Sequence, residues 1–292
     1  MPVLLLYLGV SLVWGSTWLA ITFQLGVVDP LVSVIYRFGL AAALLFLWCL
    51  LRRIPLRLTL RQHAFMLLQG SFLFGLNYWI LYLAAQHVTS GLIAATFATI
   101  VFLNAFNARL WLQMPIKPEV LQGGVAGIAG VALLFSHELQ GLSLTGPVAV
   151  GLGWALLSTL MASLGNITAA YNTSGGRSVM AINAWGMLYG TVTVLIIALL
   201  LGVPFTFDTR PSYLLSLGYL VVFGSILTFA GYLRLITVLG PDKAAYMSML
   251  VPIIALTLSS FFEGYQWSLS AFAGLALVLA GNWWAMGRRQ SR

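Results

Sequence analysis

Apolar runs alternate with short polar clusters along the whole chain. A helix that spans a bilayer needs about 20 mostly apolar residues. Ten runs of this kind are present, at 3–24, 31–51, 63–84, 88–111, 119–136, 147–170, 179–201, 212–235, 243–262 and 267–286. The clusters between them carry turn and charge chemistry, as in "VVDP" at 27–30, "RRIPLRLTLR" at 52–61, "QMPIKPE" at 113–119, "NTSGGR" at 172–177 and "LGPDK" at 239–243. Gly and Pro punctuate these breaks. The connections are too short for a soluble domain. The pattern predicts an all-α membrane protein of ten transmembrane helices.

Composition agrees. Of 292 residues, 61% are hydrophobic and 7% are charged, and the mean hydropathy is +0.98. A soluble protein carries roughly 25% charged residues. In a soluble chain the net charge of +8 would point to nucleic acid; here the placement of the charges matters more, and the expected partners are the bilayer and a small-molecule substrate. Cys49 is the one cysteine, so no intrachain disulfide can form. The first run has no preceding Lys or Arg and no small-residue cleavage site, so it is read as a retained helix.

Basic residues set the orientation. With the N-terminus inside, cytoplasmic segments hold Arg52, Arg53, Arg57, Arg61, Arg109, Lys117, Arg177, Arg234, Lys243, Arg288, Arg289 and Arg292, which is 12 of the 14 Lys and Arg. Arg210 falls in an outer loop, and Arg37 lies inside a span. Asp29, Glu138, Asp208 and Glu263 fall outside. The expected topology is N-in and C-in.

The halves resemble one another. "AATFATIVFLNAFNARLWLQ" (94–113) lies over "AAYMSMLVPIIALTLSSFFE" (244–263) at an offset of 150. The "FG" at 74–75 matches that at 223–224, Gly123 and Gly130 match Gly274 and Gly281, and Ser16-Thr17 matches Ser158-Thr159. Five helices per half is an odd number, so the second half starts on the opposite face of the membrane. Two five-helix inverted-topology repeats are therefore expected, over 1–140 and 141–292, forming one bundle. Such repeats are a signature of alternating-access transporters, with substrate held near the midplane.

These stretches resemble the EamA-type members of the drug/metabolite transporter superfamily. "LVWGSTWLAI" (12–21) is similar to that family's first helix, "YRFGLAAALL" (36–45) to its second, and 244–263, with Pro252 and the terminal Glu263, to its ninth. Many members carry a proline and a terminal Glu in the fourth helix; here those positions are Phe102 and Gln113. Within the superfamily the chain resembles the bacterial YddG-like exporters of aromatic and other amino acids. The resemblance implies multi-pass residence in the bacterial inner membrane and export of small metabolites, without fixing the substrate.

Candidate substrate contacts are mid-span aromatics and polar groups. Trp14, Thr17 and Trp18 lie in the middle of the first span. Tyr78 and Tyr82 share a face of the third, beside Asn77. Trp154 and Ser158 share a face of the sixth, which also carries Asn166; Trp185 and Tyr189 share a face of the seventh, and Tyr246 lies one turn into the ninth. Aromatic walls with a few hydroxyls and amides would suit an amphipathic ligand. Helix–helix packing and interhelical hydrogen bonding explain the same residues equally well. Lys243 fits either positive-inside topology or an inner gate, and Glu263 marks the outer end of the ninth span.

Arg37 lies about 9 Å into its span from the outer side, at 1.5 Å per residue. Its stem could snorkel outward toward Asp29, Glu138 or Glu263. Three roles stay open: a structural pair, an outer gate, or a contact to a substrate carboxylate. Its aligned position in the second half is Ala184, so the charge is one-sided. Proton-coupled carriers often use Asp, Glu or His within the membrane, and no carboxylate lies at mid-span here, so an uncoupled facilitator is expected, with coupling through a boundary group as the alternative. No "HExxH", Cys/His cluster or mid-span carboxylate pair supports an enzyme, a metal site or a cofactor. Multidrug export, a channel-like pore and lipid scrambling remain as alternatives to amino-acid export.

Overall fold

A computed structural model of the protein describes residues 3–136, 146–173, 176–239 and 247–287. Every regular element among them is helical. In chain order they are α1 (Val3–Thr22), α2 (Pro30–Leu51), α3 (Leu60–Ala84), α4 (Ser90–Leu112), α5 (Pro118–Leu134), α6 (Pro147–Thr173), α7 (Val179–Leu200), α8 (211–239), α9 (Met247–Phe262) and α10 (Leu269–Gly287). Seven of them are long and apolar enough to cross a membrane, while the apolar stretches of α5, α9 and α10 are shorter. The boundary expected at 140/141, together with Glu138, Lys243 and Tyr246, lies outside the described residues.

Local chemistry starts the helices where the sequence places them. Pro30, Pro118, Pro147 and Pro211 open α2, α5, α6 and α8, at a position where the missing N–H costs nothing. The Asp29 side chain caps α2 by accepting from the Leu31 N–H at 2.8 Å. Thr59 and Gln62 close a capping box at the start of α3.

Two helices change pitch in the middle. Gly70–Leu76 of α3 and Leu220–Leu227 of α8 are wound as π-helix, a form that frequently marks functional sites. The α4 helix is interrupted at Ala98 and Thr99, between Ser90–Phe97 and Ile100–Leu112. No proline causes this break. The Asn282 side-chain amide of α10 donates to the Ala98 carbonyl at 3.2 Å and provides a partner for a backbone group at the interruption.

One apolar cluster joins α2, α3, α7 and α8 through Phe38, Phe74, Met187 and Leu220. A second joins α4, α5, α9 and α10 through Leu92, Leu134, Leu256 and Val278. The α5–α10 contact is a backbone-to-backbone approach: a Cβ on Gly123 would stand 2.4 Å from the Gly281 oxygen, and one on Gly130 would stand 2.6 Å from the Gly274 oxygen. Without a hydrophobic drive between helices in lipid, such small-residue seams supply the packing. The outer surface is apolar, with Val125, Leu200 and Leu215 largely exposed. That face would aggregate in water but matches hydrocarbon.

Candidate functional site

Aromatic rings from several helices meet across the bundle. Trp14 of α1 packs on Phe229 and Tyr232 of α8, with centroids 5.8 and 5.1 Å away. Trp18, one turn further along α1, meets Phe97 of α4 edge-on at 5.2 Å. Tyr78 of α3 meets Phe38 of α2 at 4.7 Å. Phe74, at the π-wound part of α3, touches both Phe38 and Phe229. Phe38 and Phe74 are fully buried. Trp14, Trp18, Phe97, Tyr78, Phe229 and Tyr232 stay partly exposed, although each packs against a ring of another helix.

Arg37 is buried among these rings, 1% exposed. Its guanidinium carbon lies 4.5 Å from the Tyr78 ring centre and 4.9 Å from that of Phe38. Its Nε donates a long contact of 3.4 Å to Ser225 Oγ, in the π-wound part of α8. Ser225 in turn donates to the Leu220 carbonyl. Gly224 is adjacent: a Cβ there would stand 2.9 Å from Thr17 Cγ2 and 3.5 Å from an Arg37 terminal nitrogen. The π-wound backbone therefore approaches the cation with no side chain between. Tyr82 Oη, fully buried, lies within the guanidinium's electrostatic reach but makes no aligned hydrogen bond.

Neither Asp29 nor Glu263 pairs with Arg37, and Glu138 lies outside the described residues. Asp29 and Glu263 are already used, each by a helix N-terminus. Asp29 caps α2, and Glu263 accepts the Ser90 backbone N–H with both oxygens, at 3.1 and 3.2 Å, as well as the Ser90 hydroxyl. The side chain instead lies inward, on aromatic faces. A cation at mid-bilayer costs about 2.5–3.5 kcal/mol on insertion scales, and each desolvated ring contact returns up to roughly 2 kcal/mol. The rings can thus carry most of the placement cost. They cannot satisfy Nη1, which has no acceptor; a buried donor left so costs about 1–3 kcal/mol.

The other predicted residues fall in separate places. The Asn77 side-chain oxygen accepts from Ser158 Oγ at 2.7 Å, and its amide donates to the Leu73 carbonyl, so this pair ties α3 to α6. Trp154 packs on the same core as Tyr78. Asn166 makes a long contact of 3.5 Å to Asn104, two turns from Ser158. Trp185 and Tyr189 stack on one another and engage His63 at the start of α3: Tyr189 Oη lies 2.8 Å from His63 Nδ1, and Trp185 Nε1 donates to the Leu56 carbonyl. They hold α7 against the α2–α3 connection rather than joining the Arg37 group. Trp14, Thr17, Trp18, Tyr78 and Tyr82 do lie with that group or next to it.

Residues that sequence reasoning missed include Phe38, Phe97, Gly224, Ser225 and Phe229. The repeated "FG" at 74–75 and 223–224 was the available signal for the π-wound segments. Among the described residues no cluster of three or more His, Cys, Asp or Glu could hold a metal ion. A separate cleft of about 320 Å³ beside Glu263 is lined by Gln86, His87, Thr89 and Leu92.

Comparison with known proteins bears on this arrangement. One crystal structure, of a protein 15% identical, matches over 98% of both chains with a TM-score of 0.70, which speaks to the fold. The inner membrane transporter YedA of Escherichia coli, named as uncharacterized, is 28% identical over 92% of this chain and 85% of its own. The transporter YoaV of Bacillus subtilis, likewise named uncharacterized, is 24% identical over 99% of both chains. Protein PagO of Salmonella typhimurium is 24% identical over 89% of this chain and 85% of its own. The model of the EamA-like transporter family matches residues 1–136 and again 149–286. With apolar helices throughout and two copies of that model covering nearly its whole length, the chain belongs to the EamA-like transporter family of multi-pass inner-membrane proteins.

Proposed function

We propose that this protein is a ten-span exporter of small amphipathic metabolites, aromatic and other neutral amino acids foremost, working by alternating access. The observation that carries this reading is the group of partly exposed rings where α1, α3, α4 and α8 meet, with few polar groups among them. Ligand sites lined by such rings hold apolar side chains by area and orient them with a small number of hydrogen bonds.

Three features support the two-half, inverted arrangement. The π-wound segments begin at Gly70 and Leu220, 150 residues apart, which is the offset of the repeat. The family model matches each half once. The glycine seam is self-consistent under the repeat. Gly123 aligns with Gly274 and Gly130 with Gly281, so a twofold operation turns the Gly123–Gly281 contact into the Gly274–Gly130 contact. The loop distribution of Lys and Arg supports both termini inside.

Transport runs down the substrate gradient in this reading. The described carboxylates, Asp29, Glu119, Asp208 and Glu263, stand at helix ends or in loops. The test is uptake of a radiolabelled amino-acid panel into proteoliposomes containing the purified protein. Saturable, mutually competed uptake of phenylalanine, tryptophan or leucine is expected, and absence of all neutral and aromatic substrates would remove the amino-acid assignment. Uphill accumulation driven by an imposed pH gradient would remove the uncoupled mechanism.

A further inference from the structure

Two neighbouring buried polar groups at the centre of the ring cluster make no aligned hydrogen bond, and both can donate. They are Arg37 Nη1 and Tyr82 Oη. Arg37 forms no ion pair among the described residues, where the one such pair joins Arg210 to Asp208. The guanidinium carbon lies over the rings of Tyr78 and Phe38, and its Nε makes the contact to Ser225. What is left without an acceptor is Nη1, at the end of the guanidinium away from Nε. A guanidinium edge matches the spacing of two carboxylate oxygens, and it does so far better than an ammonium. The tyrosine hydroxyl beside it supplies a further donor.

We infer that Arg37, with Tyr82, is the anchor for a carboxylate carried by the transported molecule. This rests on the transport reading above and adds what the substrate must carry. The apolar part of that molecule would lie on the rings of Trp14, Trp18 and Tyr78, and its carboxylate would replace the missing acceptor of Nη1. Gly224 has a part in this, because any side chain there would crowd the approach to Arg37 and Thr17. The position is one-sided: Ala184 occupies the aligned site in the second half. A single charged contact on a scaffold of two similar halves fits a substrate with one anionic end. It does not fit an organic cation, which would meet like charge at the same point.

The experiment compares acids with their amides on purified wild-type protein. The probes are 3-phenylpropionate against 3-phenylpropionamide and phenylalanine against phenylalaninamide, read by ligand-induced thermal stabilisation and by competition with phenylalanine uptake in proteoliposomes. A charge-assisted bidentate contact predicts that each acid binds about 10- to 100-fold more tightly than its amide. In Arg37→Gln the preference should fall below about threefold, and Arg37→Lys, which keeps the charge but loses the fork, should recover only part of it. Amides that bind the wild-type protein as tightly as the acids would overturn the inference, and this comparison requires no variant to fold. The same holds if Arg37→Gln folds and keeps the full preference. The two readings fail separately. Carboxylate-selective stabilisation without amino-acid uptake leaves the anchor and removes the amino-acid assignment. Uptake of phenylalanine that the amide competes equally well does the reverse.

Discussion

The tie between Glu263 and Ser90 yields the sharpest stability prediction. Glu263 closes α9, and Ser90 opens α4, whose own N-cap residue, Thr89, makes no side-chain cap. The carboxylate therefore does the capping from another helix, taking the Ser90 N–H on both oxygens and the Ser90 hydroxyl on one. Hydrogen bonds to a charged group contribute about 1.5–3 kcal/mol, and the helix dipole adds about 0.3–1 kcal/mol. Glu263→Gln keeps the volume and one acceptor but loses the charge, so a cost of roughly 1–2 kcal/mol is expected. Ser90→Ala removes only the hydroxyl and should cost about 1 kcal/mol. At about 2–4 °C per kcal/mol for a large domain, Glu263→Gln should lower Tm by about 2–8 °C. Cys49 makes the assay direct. It is the one cysteine and is fully buried, so a thiol-reactive fluorophore reports unfolding of the detergent-solubilised protein through it alone. The double variant should lose less than the sum of the singles, because both remove parts of one contact. Strict additivity, or a Glu263→Gln melt indistinguishable from wild type, would refute the capping argument.

Three further outcomes follow from the structure. Gly130→Ala and Gly274→Ala each put a methyl group against a backbone oxygen 2.6 Å away; each should cost about 1–3 kcal/mol in the same thiol assay, and a neutral result at either would contradict the close seam. The Asp208 carboxyl is held below its ordinary value by hydrogen bonds from the Arg210 guanidinium and then from the Arg210 backbone N–H. Its contribution is present above the unfolded value near 4 and is lost as pH falls through the folded one, so Asp208→Asn should lower Tm at pH 7, and the gap should begin to close only below about pH 4, as pH falls toward the depressed folded value. In a Cys49→Ala background, Thr209→Cys should react with an impermeant maleimide in intact cells and Arg57→Cys only after permeabilisation, and the opposite pattern would invert the topology.

Much of the frame can be read from the chain because each device is local. Pro30, Pro118, Pro147 and Pro211 open helices where they stand, and Asp29 and Thr59 cap the elements they precede. What escapes is whatever depends on a partner far along the chain. The interruption of α4 has no proline to announce it, since Phe102 occupies that position; the Ala98 carbonyl is met by Asn282, 184 residues away. The π-wound segments carry no breaker, only a repeated "FG". Aromatic spacing placed Trp185 with Tyr189 and Tyr78 with Tyr82 correctly on shared faces. Spacing could not tell that the first pair closes on His63 and the second lies beside a buried cation.

Arg37 makes the same point with a consequence for mechanism. A buried cation is normally assigned to the nearest acid, and the sequence pattern puts four acids, Asp29, Glu138, Asp208 and Glu263, on the outer side. Helix N-termini compete for carboxylates, however, and they win when they are closer, as Leu31 and Ser90 are for Asp29 and Glu263. Arg37 is then left to rings that can hold its charge but cannot accept from its Nη1. On the inverted-repeat reading the two halves supply similar helices, and α2 packs on its counterpart α7. Of the two, only α2 carries a charge, Arg37, which lies against Tyr78 of α3 and Ser225 of α8; the aligned residue of α7 is Ala184. On the proposed mechanism, a scaffold nearly symmetric for movement and unsymmetric in this one donor would separate two tasks: the paired helices would rock, and the lone guanidinium would select what they carry.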